Sequence, residues 1–319
     1  MITLLSAPSN LGLRPPVGGG VPGTSRAPEA LRDAGLHERF VSRGAQDAGV
    51  VRAGRYLDDD ATRPSGRLRN EATMIAHARL LAARLGAVLD RGGSPLVLGG
   101  DCSILLGIGL ALAKWGRTGL VHIDGHTDFR RPATSDDCAS VAGEDLAAAV
   151  GLHVSAIADI EGAGPYFHPA QAVLIGHREN DEYAADARDH LGLLIPASEA
   201  VIEGAASTAG RARRVAGSGY WLQLDVDVLD PTIMPAVDSP DPGGFDAGQL
   251  VDLLGYLAPA AIGASVTVFD PDLDPSGDYG RLLTEILATG LAELGSGVAG
   301  DRGRSETSSR RAEDPWKER

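Results

Sequence analysis

The chain has 319 residues, 43% hydrophobic and 23% charged, values of a globular protein with a sizeable core rather than of a disordered or fibrous one. Its formal net charge of −14 argues against nucleic acid or an anionic membrane as a partner, because both demand a basic footprint. Two cysteines, an N-terminus without a basic flank or long apolar core, and no apolar run near the roughly 20 residues of a membrane span predict a reducing cytoplasmic setting without a disulfide.

In chain order, a strand at 2–6 leads into a Gly- and Pro-rich stretch at 10–23, read as a long loop near the strand ends, and then a helix at 28–36. Strands at 50–53, 95–98 and 119–123 follow, with helices at 68–91 and 104–114 between them and another at 142–150. Strands at 172–175, 193–196, 220–224 and 264–269 then alternate with helices at 182–190, 199–215, 246–256 and 279–294. Alternation of this kind predicts a single α/β domain with a mostly parallel sheet of about eight strands covered on both faces. The domain is expected to span 1–298. Residues 299–319, with six basic and five acidic side chains and almost no apolar ones, are expected to be a disordered tail.

Two acidic clusters dominate. His122-Ile123-Asp124-Gly125-His126-Thr127-Asp128 follows one strand, and Asp225-Val226-Asp227-Val228-Leu229-Asp230-Pro231 follows another. In extended chain, residues two apart share a face, so Asp124, His126 and Asp128 can converge, as can Asp225 and Asp227. Four carboxylates and an imidazole in one place call for divalent cations among them. Gly99-Gly100-Asp101-Cys102-Ser103 ends a third strand at the same edge, where ligands bind in open α/β sheets. Taken singly, each motif also fits a turn or a helix cap.

Together, in this order and spacing, the motifs resemble the ureohydrolase superfamily of arginases, agmatinases and related amidino- and formimino-hydrolases. The segments Pro22-Gly23 to Gly35-Leu36 and Ile175-Gly176-His177-Arg178 extend the likeness. The resemblance implies an arginase-like three-layer α-β-α sandwich, two Mn2+ and a homo-oligomer, trimeric or hexameric. Asp124 and Asp225 then correspond to carboxylates bridging both metals, Asp128 and position 102 to ligands of one, and His126 and Asp227 to ligands of the other. A metal-bridging hydroxide attacks the planar carbon of a linear guanidine or amidine, and Asp128 takes up a proton as the intermediate collapses. Arg130 and Ser135 stand where such enzymes hold an α-carboxylate, and Asp181 where they hold an α-ammonium group. Arg130 as a solvated charge and Asp181 as a helix cap are equally open.

Three positions depart from the family pattern. Cys102 replaces a ligating histidine. As a thiolate it would raise the anionic ligands above the charge of two dications, so the ion is weak, the thiol stays protonated or merely nearby, or a softer metal binds. Ala142 replaces a proton-shuttling histidine, and Val268 a glutamate that grips guanidinium. The cysteine is shared with Nω-hydroxy-L-arginine amidinohydrolases of antibiotic biosynthesis. The leading expectation is an amidinohydrolase acting on Nω-hydroxy-L-arginine, giving hydroxyurea and ornithine, or on L-arginine, giving urea and ornithine. The alternatives are hydrolysis of another amidine or formimino compound, or a metal-poor, non-catalytic binding or regulatory homologue. His153, His168, His177 and His190 read as surface or core histidines, and Cys138 as structural or pocket-lining.

Overall fold

The computed structural model describes residues 1–16, 19–116 and 118–298; the expected tail at 299–319 lies outside them. Eight strands form one parallel sheet: β1 (Ile2–Ala7), β2 (Gln46–Val50), β3 (Ser94–Gly99), β4 (Leu120–Ile123), β5 (Ala172–Ile175), β6 (Leu193–Ile195), β7 (Trp221–Asp225) and β8 (Gly263–Thr267). Their order is β2-β1-β3-β8-β7-β4-β5-β6. The helices are α1 (Ala27–Asp33), α2 (Leu36–Val41), α3 (Glu71–Asp90), α4 (Ile104–Trp115), α5 (Asp145–Ala149), α6 (Ser155–Ala158), α7 (Ala184–His190), α8 (Ala197–Glu203), α9 (Ala205–Ala216), α10 (Ala247–Leu257) and α11 (Asp278–Gly290).

The pleat divides the core in two. Leu96, Leu98, Val121, Ile123, Leu222 and Leu224 pack in one apolar cluster with side chains of α1, α2 and α8 to α11. Val97, Leu120 and Trp221 pack in the other, with α3 to α7. Helices thus cover both faces, the three-layer sandwich the sequence predicts. The interior strands β3, β4, β5, β7 and β8 are buried along their whole length, which is why they read as short apolar runs.

Several expected elements differ in detail. The second strand lies at Gln46–Val50, not 50–53; it is an edge strand with mostly polar or small residues, so no apolar run marks it. The expected helix 28–36 breaks at Gly35, whose φ of 89° suits glycine alone without strain. The helix expected at 199–215 splits at Gly204, with φ 83°, and that at 142–150 begins as a 3-10 turn and turns α-helical at Asp145. One helix, α3, is after all long and apolar enough by composition to cross a membrane, with a mean hydropathy of 1.3. In the fold it packs Met74, Ala78, Leu81, Leu85 and Leu89 into the core.

The loop after β1 folds back over the strand ends. Asp101 accepts hydrogen bonds from the Gly12 N–H and, at 2.8 Å, from the Ser103 hydroxyl, while the Asp101 N–H donates to Ser9 O at 3.1 Å. A Cβ on Gly100 would lie 1.7 Å from that same carbonyl oxygen, so the close approach of the two loops requires glycine. Gly100→Ala is expected to lower stability by about 3 kcal/mol or more, read as a fall in the denaturation midpoint.

Candidate active site and metal centre

The register of β4 against β7 pairs Ile123 with Leu224, so Asp124 and Asp225 leave the sheet side by side. Both carboxylates, with Asp128 and Asp227, are buried. Each loop is stiffened by its own first carboxylate. Asp124 accepts from the His126 N–H at 2.7 Å, and Asp225 from the Asp227 N–H at 2.9 Å. Asp227 crosses to the other loop, accepting from the Gly125 N–H at 3.0 Å and facing His126 Nδ1 at 2.9 Å. Asp128 sits at φ 47°, a left-handed conformation that Asp tolerates. Five of the predicted residues are therefore brought together beyond the carboxyl ends of two strands.

Behind Asp225 runs a buried polar ladder on one face of β7 and β8. Trp221 Nε1 donates to Ser265 Oγ at 2.8 Å, Ser265 Oγ–H to Gln223, Gln223 Nε2 to Thr267 Oγ1 at 3.1 Å, and Thr267 Oγ1 approaches Asp225 Oδ2 at 3.2 Å. Cys102 completes it, its thiol donating to Asp225 Oδ2 at 2.8 Å. Burial first, then the Asp225 charge, push this thiol well above its ordinary pKa, which favours the protonated thiol among the sequence alternatives.

The electrostatics call for a cation. Burial, reinforced by Asp227, raises Asp124; burial and Asp124 raise Asp128; burial, Asp227 and Asp124 raise Asp225. For Asp227 the burial penalty is overcome by the His126 hydrogen bond and charge, leaving its pKa lowered. His126 in turn is held up to about 10, since Asp227 and Asp124 outweigh its desolvation. Ligand-capable atoms of Asp124, His126 and Asp227 lie within 4.8 Å of one another, as do those of His122, Asp124 and Asp128, and of Cys102, Asp128 and Asp145. The residues present thus fit a pair of hard divalent ions.

Two of these residues were not singled out from the sequence. His122 is fully buried, with Nε2 2.8 Å from Asp124 Oδ2; burial opposes its charged form, but Asp124 and Asp145 outweigh it and raise the pKa. Asp145 opens α5, is fully buried, and has neither carboxylate oxygen in a well-formed hydrogen bond. Burial raises its pKa to about 7. Strand alternation with Asp124 was the available signal for His122. For Asp145 there was none, since a helix-opening acid is ordinarily a solvated one.

The proposed substrate residues lie outside the ligand clusters. Arg130 Nε lies 3.3 Å from buried Glu144. Ser135 Oγ accepts from the Asp137 N–H at 3.1 Å. Asp181 accepts from the Thr127 N–H at 3.0 Å, the Thr127 hydroxyl at 2.7 Å and the Tyr183 N–H at 2.9 Å, so it braces the metal loop and the turn before α7 at once. Glu144 also gathers His153, at 3.1 Å, and Cys138. Val268 is buried at φ 74°, strained for a β-branched residue. Asp230 accepts from Thr232 and Gly243 and builds a turn. His177 is a core residue whose burial lowers its pKa to about 4, and a groove of about 830 Å³ beside β2 and α3 is lined by none of the clustered carboxylates at the ends of β4 and β7.

Arg178 is buried under the second loop and donates to Gly176 O at 3.1 Å, Asp227 O at 3.1 Å and Asp241 O at 2.7 Å. Arg178→Met would leave those carbonyls unpaired. We expect a stability loss of about 3 kcal/mol and metal binding weakened about 10- to 100-fold, measured by denaturation and by Mn2+ titration.

A buried carboxylate centre at the strand ends of a parallel three-layer sandwich defines a metallohydrolase-type site. The chain belongs to the arginase family, whose profile matches residues 2–293. It is 31% identical over 270 residues to an arginase of Bacillus caldovelox, covering 79% of this chain and 87% of that protein. The solved structure of the Bacillus caldovelox arginase superposes with a TM-score of 0.81 at 28% identity, covering 91% and 97% of the two chains. An N(omega)-hydroxy-L-arginine amidinohydrolase of Streptomyces lavendulae is 29% identical over 235 residues, 72% of this chain and 75% of that one. The chain is accordingly an amidinohydrolase, a hydrolase of C–N bonds in guanidino or amidino compounds, in a family with a binuclear metal site.

Proposed function

We propose that the protein is a dimanganese hydrolase of a linear guanidino compound bearing an amino-acid end, with Nω-hydroxy-L-arginine first and L-arginine second. The observation that carries this is that buried Asp124, Asp128, Asp225 and Asp227 and half-buried His126 gather at the adjoining ends of β4 and β7, in overlapping clusters of ligand-capable atoms. Asp124 and Asp225 would bridge the two ions, Asp128 would serve one, His126 and Asp227 the other, with Cys102 beside the first as a neutral thiol. When bound, the ions supply Lewis acidity and a water of lowered pKa.

The chain's own residues do the rest. Attack of water on the guanidine carbon would form the new C–O bond, and Asp128 would take the proton of the added hydroxyl as the tetrahedral adduct collapses. The carbon–nitrogen bond to the amino-acid side breaks, leaving urea or hydroxyurea and an amine that gains the proton. Arg130 and Ser135 would hold the α-carboxylate and Asp181 the α-ammonium group. Arg130 faces Glu144 through Nε, which leaves its terminal nitrogens for a carboxylate, and Asp181 would share its carboxylate with Thr127.

The hydroxyguanidine is favoured by Val268, since an apolar residue there suits a less basic guanidine. Ala142 leaves no imidazole at that position to protonate the departing amine, which is the same for both substrates. Cys102 points the same way, toward a role in antibiotic biosynthesis. The apolar Val268 also keeps a formimino substrate as a second reading. Retention of five ligand residues weighs against a metal-poor binding homologue, because a decayed site has no electrostatic reason to keep them.

The manganese-loaded protein, incubated separately with the two substrates, tests this by mass spectrometry. Hydroxyurea and ornithine with little urea are expected. Strong urea release would make it a tolerant arginase, and neither product from a metal-bound protein would defeat the substrate assignment.

A further inference from the structure

The replacement of a ligating histidine by Cys102 leaves one metal position short of a donor. The Cys102 sulfur is turned toward Asp225 Oδ2, 2.8 Å away. Asp145 lies beside that position. Its carboxylate, the Cys102 sulfur and the Asp128 carboxylate place ligand-capable atoms within 4.8 Å of one another. Asp145 is 0% exposed; the Asp128 carboxyl and the Leu146 N–H approach its oxygens, but outside ordinary hydrogen-bond geometry. A carboxylate so placed is costly unless a cation compensates it.

Its placement is built in. The Ala147 N–H donates to Asp128 O at 3.2 Å, tying α5 to the first acidic loop. Ser140 Oγ and the Ala142 N–H both donate to Gly12 O, at 2.6 and 3.2 Å, and anchor the segment that precedes α5 against the loop after β1. Asp145 is thus held by two loops against the position that Cys102 vacates.

We propose that Asp145 is a ligand of the metal ion held by Asp128 and Asp225, supplying a carboxylate oxygen in place of the imidazole lost at position 102. This rests on the two-metal reading above. The substitution changes the character of that half of the centre from mixed nitrogen and oxygen to oxygen donors, with the Cys102 sulfur nearby. Oxygen donors favour manganese or magnesium over softer ions. Asp145 also stands three residues after Ala142, in the short segment that opens α5.

The test is metal content rather than turnover. Wild-type protein and Asp145→Asn are loaded with Mn2+, desalted and assayed for manganese per chain, with titration for affinity and electron paramagnetic resonance for coupling between the ions. We expect two ions and a coupled signal for the wild type, and one ion with an isolated Mn2+ signal for the variant, the second ion weakened more than about 100-fold, beyond the loss typical of an outer-sphere change. Circular dichroism of the metal-free variant checks the fold, and Asp145→Ala replaces it if the amide disturbs packing. Two ions bound with unchanged affinity in a folded variant would overturn the assignment of Asp145 and leave the two-metal reading standing. A wild type that holds fewer than two ions would overturn that reading, and this assignment with it.

Discussion

Asp225→Asn is expected to lower kcat/KM by about a thousandfold or more, roughly 4 kcal/mol of lost transition-state stabilisation, while raising the stability of the metal-free protein. The two effects have one cause. Asp225 is buried against Asp227 and Asp124, which with desolvation penalise its charge. In the proposed two-metal reading cations offset that penalty; without them it is uncompensated. An amide keeps an acceptor for the Asp227 N–H at Oδ1 and removes the charge. Activity assays with each substrate, paired with melting curves in chelator, would show opposite movements. A variant that lost activity and metal-free stability together would mean that Asp225 serves the fold.

Melting temperature should respond to pH in opposite directions with and without metal. Asp124, Asp128, Asp145 and Asp225 all hold their protons above the ordinary carboxylate range, burial being the leading cause in each. Between the usual carboxylate value near ~4 and the value of about 7 for Asp145, the metal-free folded chain binds more protons than the unfolded one. Its stability therefore falls as pH rises through that window. His126, raised to about 10, acts in the same sense, its contribution complete below the unfolded imidazole value and lost on approach to 10. Asp227, held low, contributes above the usual carboxylate value and loses that only in acid.

Metal reverses the trend, because ligands bind as deprotonated groups. An ion present at about a thousand times its Kd adds about 4 kcal/mol. The gap in melting temperature between manganese-loaded and chelator-treated protein should therefore widen by several degrees, about 5 °C or more, between about pH 5 and 7.5. A gap independent of pH would show that the carboxylates do not meet at a metal.

The separate failures of Gly100→Ala and Arg178→Met bear on different layers. The first disrupts the contact between the loops after β1 and β3; the second unseats the loop after β7 from behind. Loss of metal affinity in Arg178→Met at unchanged secondary structure would show that carbonyl positions at Asp227 and Leu229 are set by that buried guanidinium.

What the sequence by itself determined was whatever rests on local period and on chemistry concentrated within a few residues. The interior strands announced themselves as apolar runs because both their faces are buried. Asp124, His126 and Asp128, like Asp225 and Asp227, stood out as alternate residues within a few positions, though the structure gathers them through a left-handed Asp128 and a 3-10 turn at Val226–Val228 rather than extended chain. The edge strand β2 and the breaks at Gly35 and Gly204 were not legible, since a half-exposed strand has no apolar signature and a left-handed glycine within an amphipathic run reads as helix. Only the tertiary structure decided the rest. Strand order set β4 beside β7 and so joined two distant clusters, packing turned the Cys102 thiol toward Asp225, and α5 carried Asp145 into the interior. A carboxylate's meaning depends on whether water or another carboxylate surrounds it, and that is settled by residues far away in the chain.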